Sequence, residues 1–102
     1  MDVLIRIKQT VLEGRYIFSE KARIELKADD LTEFDVTESI LSSDAIYKKL
    51  RSTSRSRNRR REYLYVIKST NPDGLVIYTK GKFVEAAGNE TYYLLVSAKR
   101  AI

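Results

Sequence analysis

The chain has 102 residues, 43% of them hydrophobic and 32% charged, with a net charge of +5, which suits one ordinary globular domain spanning residues 1–102. It contains no Cys and no His, so disulfide frameworks, thiol nucleophiles, thiolate or imidazole metal sites and histidine-based relays are excluded. Neither a run of about 18 apolar residues nor a charged-then-apolar leader is visible, so a soluble cytoplasmic protein with no membrane partner is expected.

Residues 2–12 place Val3, Ile7 and Val11 four apart with Leu4 beside them, the pattern of a short amphipathic helix that Gly14 ends. Arg15-Tyr16-Ile17-Phe18 reads as a brief extended piece. Ser19 caps a second helix, Glu20 to Ala28, whose inner face holds Ala22 and Leu26. Thr32 caps a third helix, with Asp35 completing a capping box and Leu31 and Val36 forming a hydrophobic staple. That helix buries Val36, Ile40 and Leu41 and dissolves at Ser42-Ser43-Asp44. The period then changes. Ala45 to Leu50 reads as a short strand. Glu62 to Lys68 and Leu75 to Lys80 form a hairpin around Asn71-Pro72-Asp73-Gly74, and Tyr92 to Lys99 is the last strand. The fold class is α+β: two to three N-terminal helices packed on one face of a C-terminal antiparallel sheet.

Charge is unevenly spread along this chain. Glu13 to Asp44 carries nine acids against four bases, whereas Ile46 to Lys68 carries nine bases against the single acid Glu62. Six of those bases are arginines: Arg51, Arg55, Arg57, Arg59, Arg60 and Arg61. The planar guanidinium grips phosphate bidentately, so the cluster points to a nucleic-acid partner. A solvated basic loop is the plain alternative. In the strands, parity places Tyr78 with Lys80 and Ser97 with Lys99. The four together make a solvent-facing surface beside the arginines, while Tyr92, Leu94, Val96 and Ala98 form the apolar set suited to the core. The four glycines are scattered and make neither a phosphate loop nor a dinucleotide turn, so no nucleotide cofactor is expected.

Several segments occur in a particular order: Gly14 with its extended pair, Lys27 to Asp35, Ser39-Ile40-Leu41, Ile46-Tyr47-Lys48, and the closing Val96-Ser97-Ala98-Lys99. This order resembles the MqsR-type mRNA interferase toxins of bacterial toxin–antitoxin pairs, which share the RelE-like α+β fold. The resemblance covers Glu13 to Lys99 and implies a metal-independent endoribonuclease that cleaves mRNA on the ribosome. It also implies silencing by a cognate antitoxin, a small helix-turn-helix or zinc-finger protein. Carried over residue by residue, the family's catalytic lysine, tyrosine and terminal-strand lysine fall on Lys48, Tyr78 and Lys99. The family's glutamine has no counterpart; Glu62 or one of Arg59 to Arg61 occupies the neighbourhood. The connection Gly81 to Glu90 between the last two strands is also longer than in the family.

RNA carries its own nucleophile, the 2′-hydroxyl. Its cleavage needs a base, cations for the phosphorane and an acid for the leaving oxygen. The base is either a lysine crowded by other cations or Glu62, and these residues do not decide between them. Arg51, Arg55, Arg57, Arg59, Arg60, Arg61 and Lys80 are the expected RNA-binding residues. Two further readings stay open: a non-catalytic RNA- or ribosome-binding module using the same basic loop, and an acidic helical half that serves only protein interaction.

Overall fold

A computed structural model describes residues 2–51 and 62–101. The chain order is α1 (Val3–Leu12), β1 (Tyr16–Phe18), α2 (Glu20–Ala28), α3 (Glu33–Leu41), β2 (Lys48–Arg51), β3 (Tyr63–Thr70), β4 (Val76–Glu85), a one-turn 3-10 helix (Ala87–Asn89) and β5 (Thr91–Arg100). The architecture is α+β, with three helices and a five-stranded sheet of order β1-β5-β4-β3-β2 among the described residues.

The helices begin and end where local chemistry directs. Asp2, Ser19 and Thr32 each accept a hydrogen bond from a first-turn backbone N–H, and Asp35 returns the favour to the Thr32 N–H. α1 closes at Gly14, with φ of 78°: the Gly14 N–H donates to the Val11 carbonyl and the Arg15 N–H to that of Thr10. Leu31 and Val36 are both buried, as a staple requires. Leu4, Ile7 and Val11 of α1, Ala22 and Leu26 of α2, and Val36 and Ile40 of α3 join Tyr65, Ile67, Ile77, Tyr93, Leu95 and Ala98 of the sheet in one core.

The sheet differs from expectation in four ways. It is mixed rather than antiparallel, because Tyr16–Phe18 adds to the edge of β5 in parallel. β2 starts at Lys48 rather than Ala45. β4 continues through Gly81 to Glu85, so the last connection is only Ala86 to Glu90. The fourth difference concerns β5. Tyr93 and Leu95 enter the core, while Tyr92, Leu94 and Val96 are only partly buried, the reverse of the parity reading.

One irregularity accounts for the last two differences. Lys80 pairs with Ser97 but Gly81 pairs with Leu95, so Val96 is an extra residue in β5, a β-bulge. Before the bulge, Tyr93 and Leu95 point inward; after it, Ala98 does, and Ser97 and Lys99 turn to the opposite face. Gly81 is the room that Tyr93 needs. A Cβ built on Gly81 would lie 2.4 Å from the Tyr93 ring, so glycine here permits close approach rather than an unusual φ.

Tyr93 is fully buried, and its hydroxyl has no hydrogen-bond partner among the described residues. Burial first, and Tyr65 second, push its pKa above the ordinary tyrosine value and keep it protonated. Because the folded-state pKa is raised, the associated stability is present below about pH 10 and is lost as pH climbs beyond it. Gly81→Ala should therefore lower stability by about 2 kcal/mol or more through overpacking. Tyr93→Phe should stay within about 1 kcal/mol of the parent at neutral pH and flatten the alkaline loss. Denaturant melts from pH 7 to 11 check both; a Tyr93→Phe protein that is crippled at pH 7 would show that the hydroxyl has a partner.

Candidate nucleic-acid interface

The face of the sheet opposite α1 and α3 carries the functional candidates, and strand register sets their spacing. Lys68, Tyr78 and Lys99 stand directly opposite one another on β3, β4 and β5. In the adjoining row, Lys48, Val66, Lys80 and Ser97 stand opposite one another across β2 to β5. Val66 lies outside the main core yet is only 2% exposed, flanked by two lysines whose alkyl stems are long enough to cover it. One tyrosine thus sits among four lysines on a common surface.

These cations repel one another across neighbouring strands, and the described residues neutralise few of them. Lys99 pairs with Glu25 at 3.9 Å and also stands 5.3 Å from the centroid of the Tyr78 ring. Lys82, further along β4, pairs with Glu62 at 3.3 Å. Lys48, Lys68 and Lys80 have no ion pair with any described residue. Lys68 instead lies 4.2 Å over the exposed Tyr47 ring, beside an open groove of about 570 Å³ between the α3–β2 turn and the end of β3. Clustered unpaired cations with exposed aromatic rings suit a polyanion whose bases can stack.

Of the expected catalytic residues, Tyr78 and Lys99 are brought into contact, and Lys48 shares their face. From strand spacing and rise, Lys48 lies roughly 12 Å from Tyr78, backbone to backbone. Glu62 is not brought to them. It immediately precedes β3, six residues from Lys68, the partner of Tyr78, so it sits roughly 20 Å away along the strand direction. Lys80 joins the face, half-buried. Ser97 belongs to the face by register but is 2% exposed rather than solvent-facing, because Glu25 covers it. Arg51 pairs with Tyr63 and lies on the other face of the sheet together with Lys49. Arg55, Arg57, Arg59, Arg60 and Arg61 lie outside the described residues.

Two neighbours of Tyr78 and Lys99 were not anticipated. Lys68 was countable as charge, and the register that the Asn71-Pro72-Asp73-Gly74 turn imposes places it opposite Tyr78. Glu25 comes from the acidic helical half. α2 runs along β5 beyond the end of β1: the Ser19 hydroxyl donates to the Val96 carbonyl, and Asp29 accepts from the Arg100 N–H. Glu25, midway between them, accepts the Ser97 hydroxyl at 2.8 Å. No family model, curated protein or solved structure matches this chain.

The four lysines in the two rows around Tyr78 predict a salt dependence. Binding of a single-stranded oligonucleotide should weaken with a log–log slope of at least about −3, and each Lys→Ala change at Lys68 or Lys80 should reduce its size by about 0.7. Fluorescence anisotropy across a sodium chloride series measures this. An unchanged slope in the Lys68→Ala, Lys80→Ala double variant would remove the face from the interface.

Proposed function

We propose that this chain is a metal-independent endoribonuclease that binds single-stranded mRNA on its open sheet face, with Tyr78 and Lys99 at the reacting phosphate. The supporting observation is the row Lys68, Tyr78, Lys99, which flanks a phenol with two ammonium groups on adjacent strands. Its chemistry suits RNA. Lysines offset the charge that accumulates on a phosphorane, and a tyrosine hydroxyl can give its proton to a departing alkoxide. The nucleophile comes from the substrate, which explains how a chain without His or Cys can carry out the reaction. Lys48, Lys68 and Lys80 extend the cationic track along the RNA strand.

The order of segments that resembles MqsR-type toxins supports assigning this activity to a toxin–antitoxin pair. On that reading the enzyme is cytoplasmic, acts on messages engaged by ribosomes and is held silent by a small antitoxin. The separation of Lys48 and Glu62 from Tyr78 favours a second reading, a non-catalytic RNA-binding module that uses the same face.

Product analysis distinguishes the two. The protein should cut a single-stranded RNA, leave the DNA of the same sequence intact for want of a 2′-hydroxyl, and remain active in EDTA. Lys99→Ala should slow the cut by about 10²-fold or more at saturating protein, beyond the RNA affinity lost with one phosphate contact. Intact RNA after prolonged incubation would leave only the binding module. Loss of activity in EDTA with recovery in Mg²⁺ would refute the mechanism.

A further inference from the structure

We propose that Glu25, on the helix beside β5, is the general base that takes the proton from the attacking 2′-hydroxyl. This inference rests on the ribonuclease reading, which leaves the base unassigned. Cleavage at neutral pH needs a group already able to accept a proton. A carboxylate has that capacity, whereas lysine and tyrosine ordinarily hold their protons there. Of the two glutamates that approach the open face, Glu62 is occupied by Lys82 at the far end. Glu25 stands against Lys99, which itself stands against Tyr78.

The carboxylate is held in an asymmetric way. Its Oε1 accepts the Ser97 hydroxyl at 2.8 Å, whereas Oε2 receives no hydrogen bond from any described residue and lies 3.9 Å from the Lys99 ammonium. One oxygen is therefore fixed and the other keeps its lone pairs, next to a cation that can steady a phosphate. The Glu25 side chain is 20% exposed, enough for a substrate hydroxyl to reach it.

Ser97 is itself informative. Ser39 and Ser43 donate to backbone carbonyls close in sequence, and Ser19 and Ser42 reach distant ones, Val96 and Thr70. Ser97, buried in the last strand, instead donates to a carboxylate on a separate helix. A buried hydroxyl directed at an ionised partner makes a strong, orienting contact. The helix cannot drift from it, because Ser19 and Asp29 bond to β5 on either side and Ala22 and Leu26 are buried in the core.

The step balances. The 2′-oxygen forms a bond to phosphorus and gives its proton to Glu25 Oε2 as the bond from phosphorus to the 5′-oxygen breaks. The 5′-oxygen leaves with the proton of the Tyr78 hydroxyl. The products are a 2′,3′-cyclic phosphate and a free 5′-hydroxyl, and solvent returns both residues to their starting states.

Glu25→Gln tests this, since the amide keeps the shape and an oxygen for Ser97 while losing the basic site. Single-turnover cleavage should fall by about 10²-fold or more on RNA. It should fall equally on uridine 3′-(4-nitrophenyl phosphate), whose leaving group departs without a proton. Melting temperature and affinity for a 2′-deoxy oligonucleotide should not change. In Glu25→Ala, added acetate should restore part of the cleavage, a recovery that a merely structural role would not give. Glu25→Gln cutting both substrates within about threefold of the parent would overturn the inference and leave the ribonuclease reading standing. A defect confined to RNA would also overturn it, by making Glu25 the acid. A destabilised Glu25→Gln together with a Glu25→Ala that acetate cannot rescue would do the same. Inactivity of the unaltered protein on RNA would instead remove the ribonuclease reading itself.

Discussion

The Tyr93 ring packed against the bare Cα of Gly81 is the contact on which the rest of the molecule depends. Without a Cβ at Gly81, the ring settles into the core directly beneath β4, and β5 admits an extra residue at Val96. The bulge reverses the facing of everything after it. Tyr93 and Leu95 feed the core from one half of β5, and Ser97 and Lys99 reach the open face from the other. In a regular strand, the parity that buries Tyr93 would bury Lys99 as well, and an unpaired ammonium there would be costly. The core and the candidate site are thus reconciled by one glycine.

Charge is divided between the two layers in a way that the composition alone conceals. Acids concentrate on α3 and at Asp29-Asp30 before it, whereas lysines line the opposite face of the sheet. Glu25 is where the layers meet: a helix residue that engages Ser97 and Lys99 on β5. Carboxylates only at the margins of a cationic surface, Glu25 beside Lys99 and Glu62 beside Lys82, leave most of that surface attractive to phosphate. Glu25 also supplies, next to Lys99, a proton acceptor of a kind that lysines and tyrosines ordinarily are not at neutral pH.

The helices were legible in the sequence because their signals are local. Asp2, Ser19 and Thr32 act within one turn, and Gly14 closes α1 through bonds to residues a few positions back. The hairpin was legible for the same reason, since the Gly74 N–H donates to the Asn71 carbonyl and the Asn71 N–H donates to that of Leu75. The grouping of Tyr78 and Lys80 with Ser97 and Lys99 also survives, because it needs parity only over the stretch beyond the bulge. The reading failed where a distant partner decides. Tyr16–Phe18 becomes a strand because β5 has a free edge, and Gly81 looks like a break until Tyr93 is placed upon it. Glu62 adjoins arginines along the chain, but strand geometry carries it to the far end of the sheet from Tyr78. Nothing near Glu25 marks it, since its role is set by Ser97, distant in sequence.

The placement of Glu25 follows from a problem that the sheet must solve anyway. β1 pairs with only three residues of β5, Tyr93 to Leu95, so the remaining edge of β5 exposes backbone groups that would otherwise invite another strand. Side chains of α2 and its caps cover that edge: Ser19 takes the Val96 carbonyl, and Asp29 takes the Arg100 N–H. A helix held at both positions must present its middle to whatever lies between them on β5, and those residues are Ser97 to Lys99. An acidic residue at the midpoint is then aimed at the lysine without further machinery. Edge protection and the candidate catalytic contact are therefore one arrangement, and a change that loosens α2 from β5 will disturb both together.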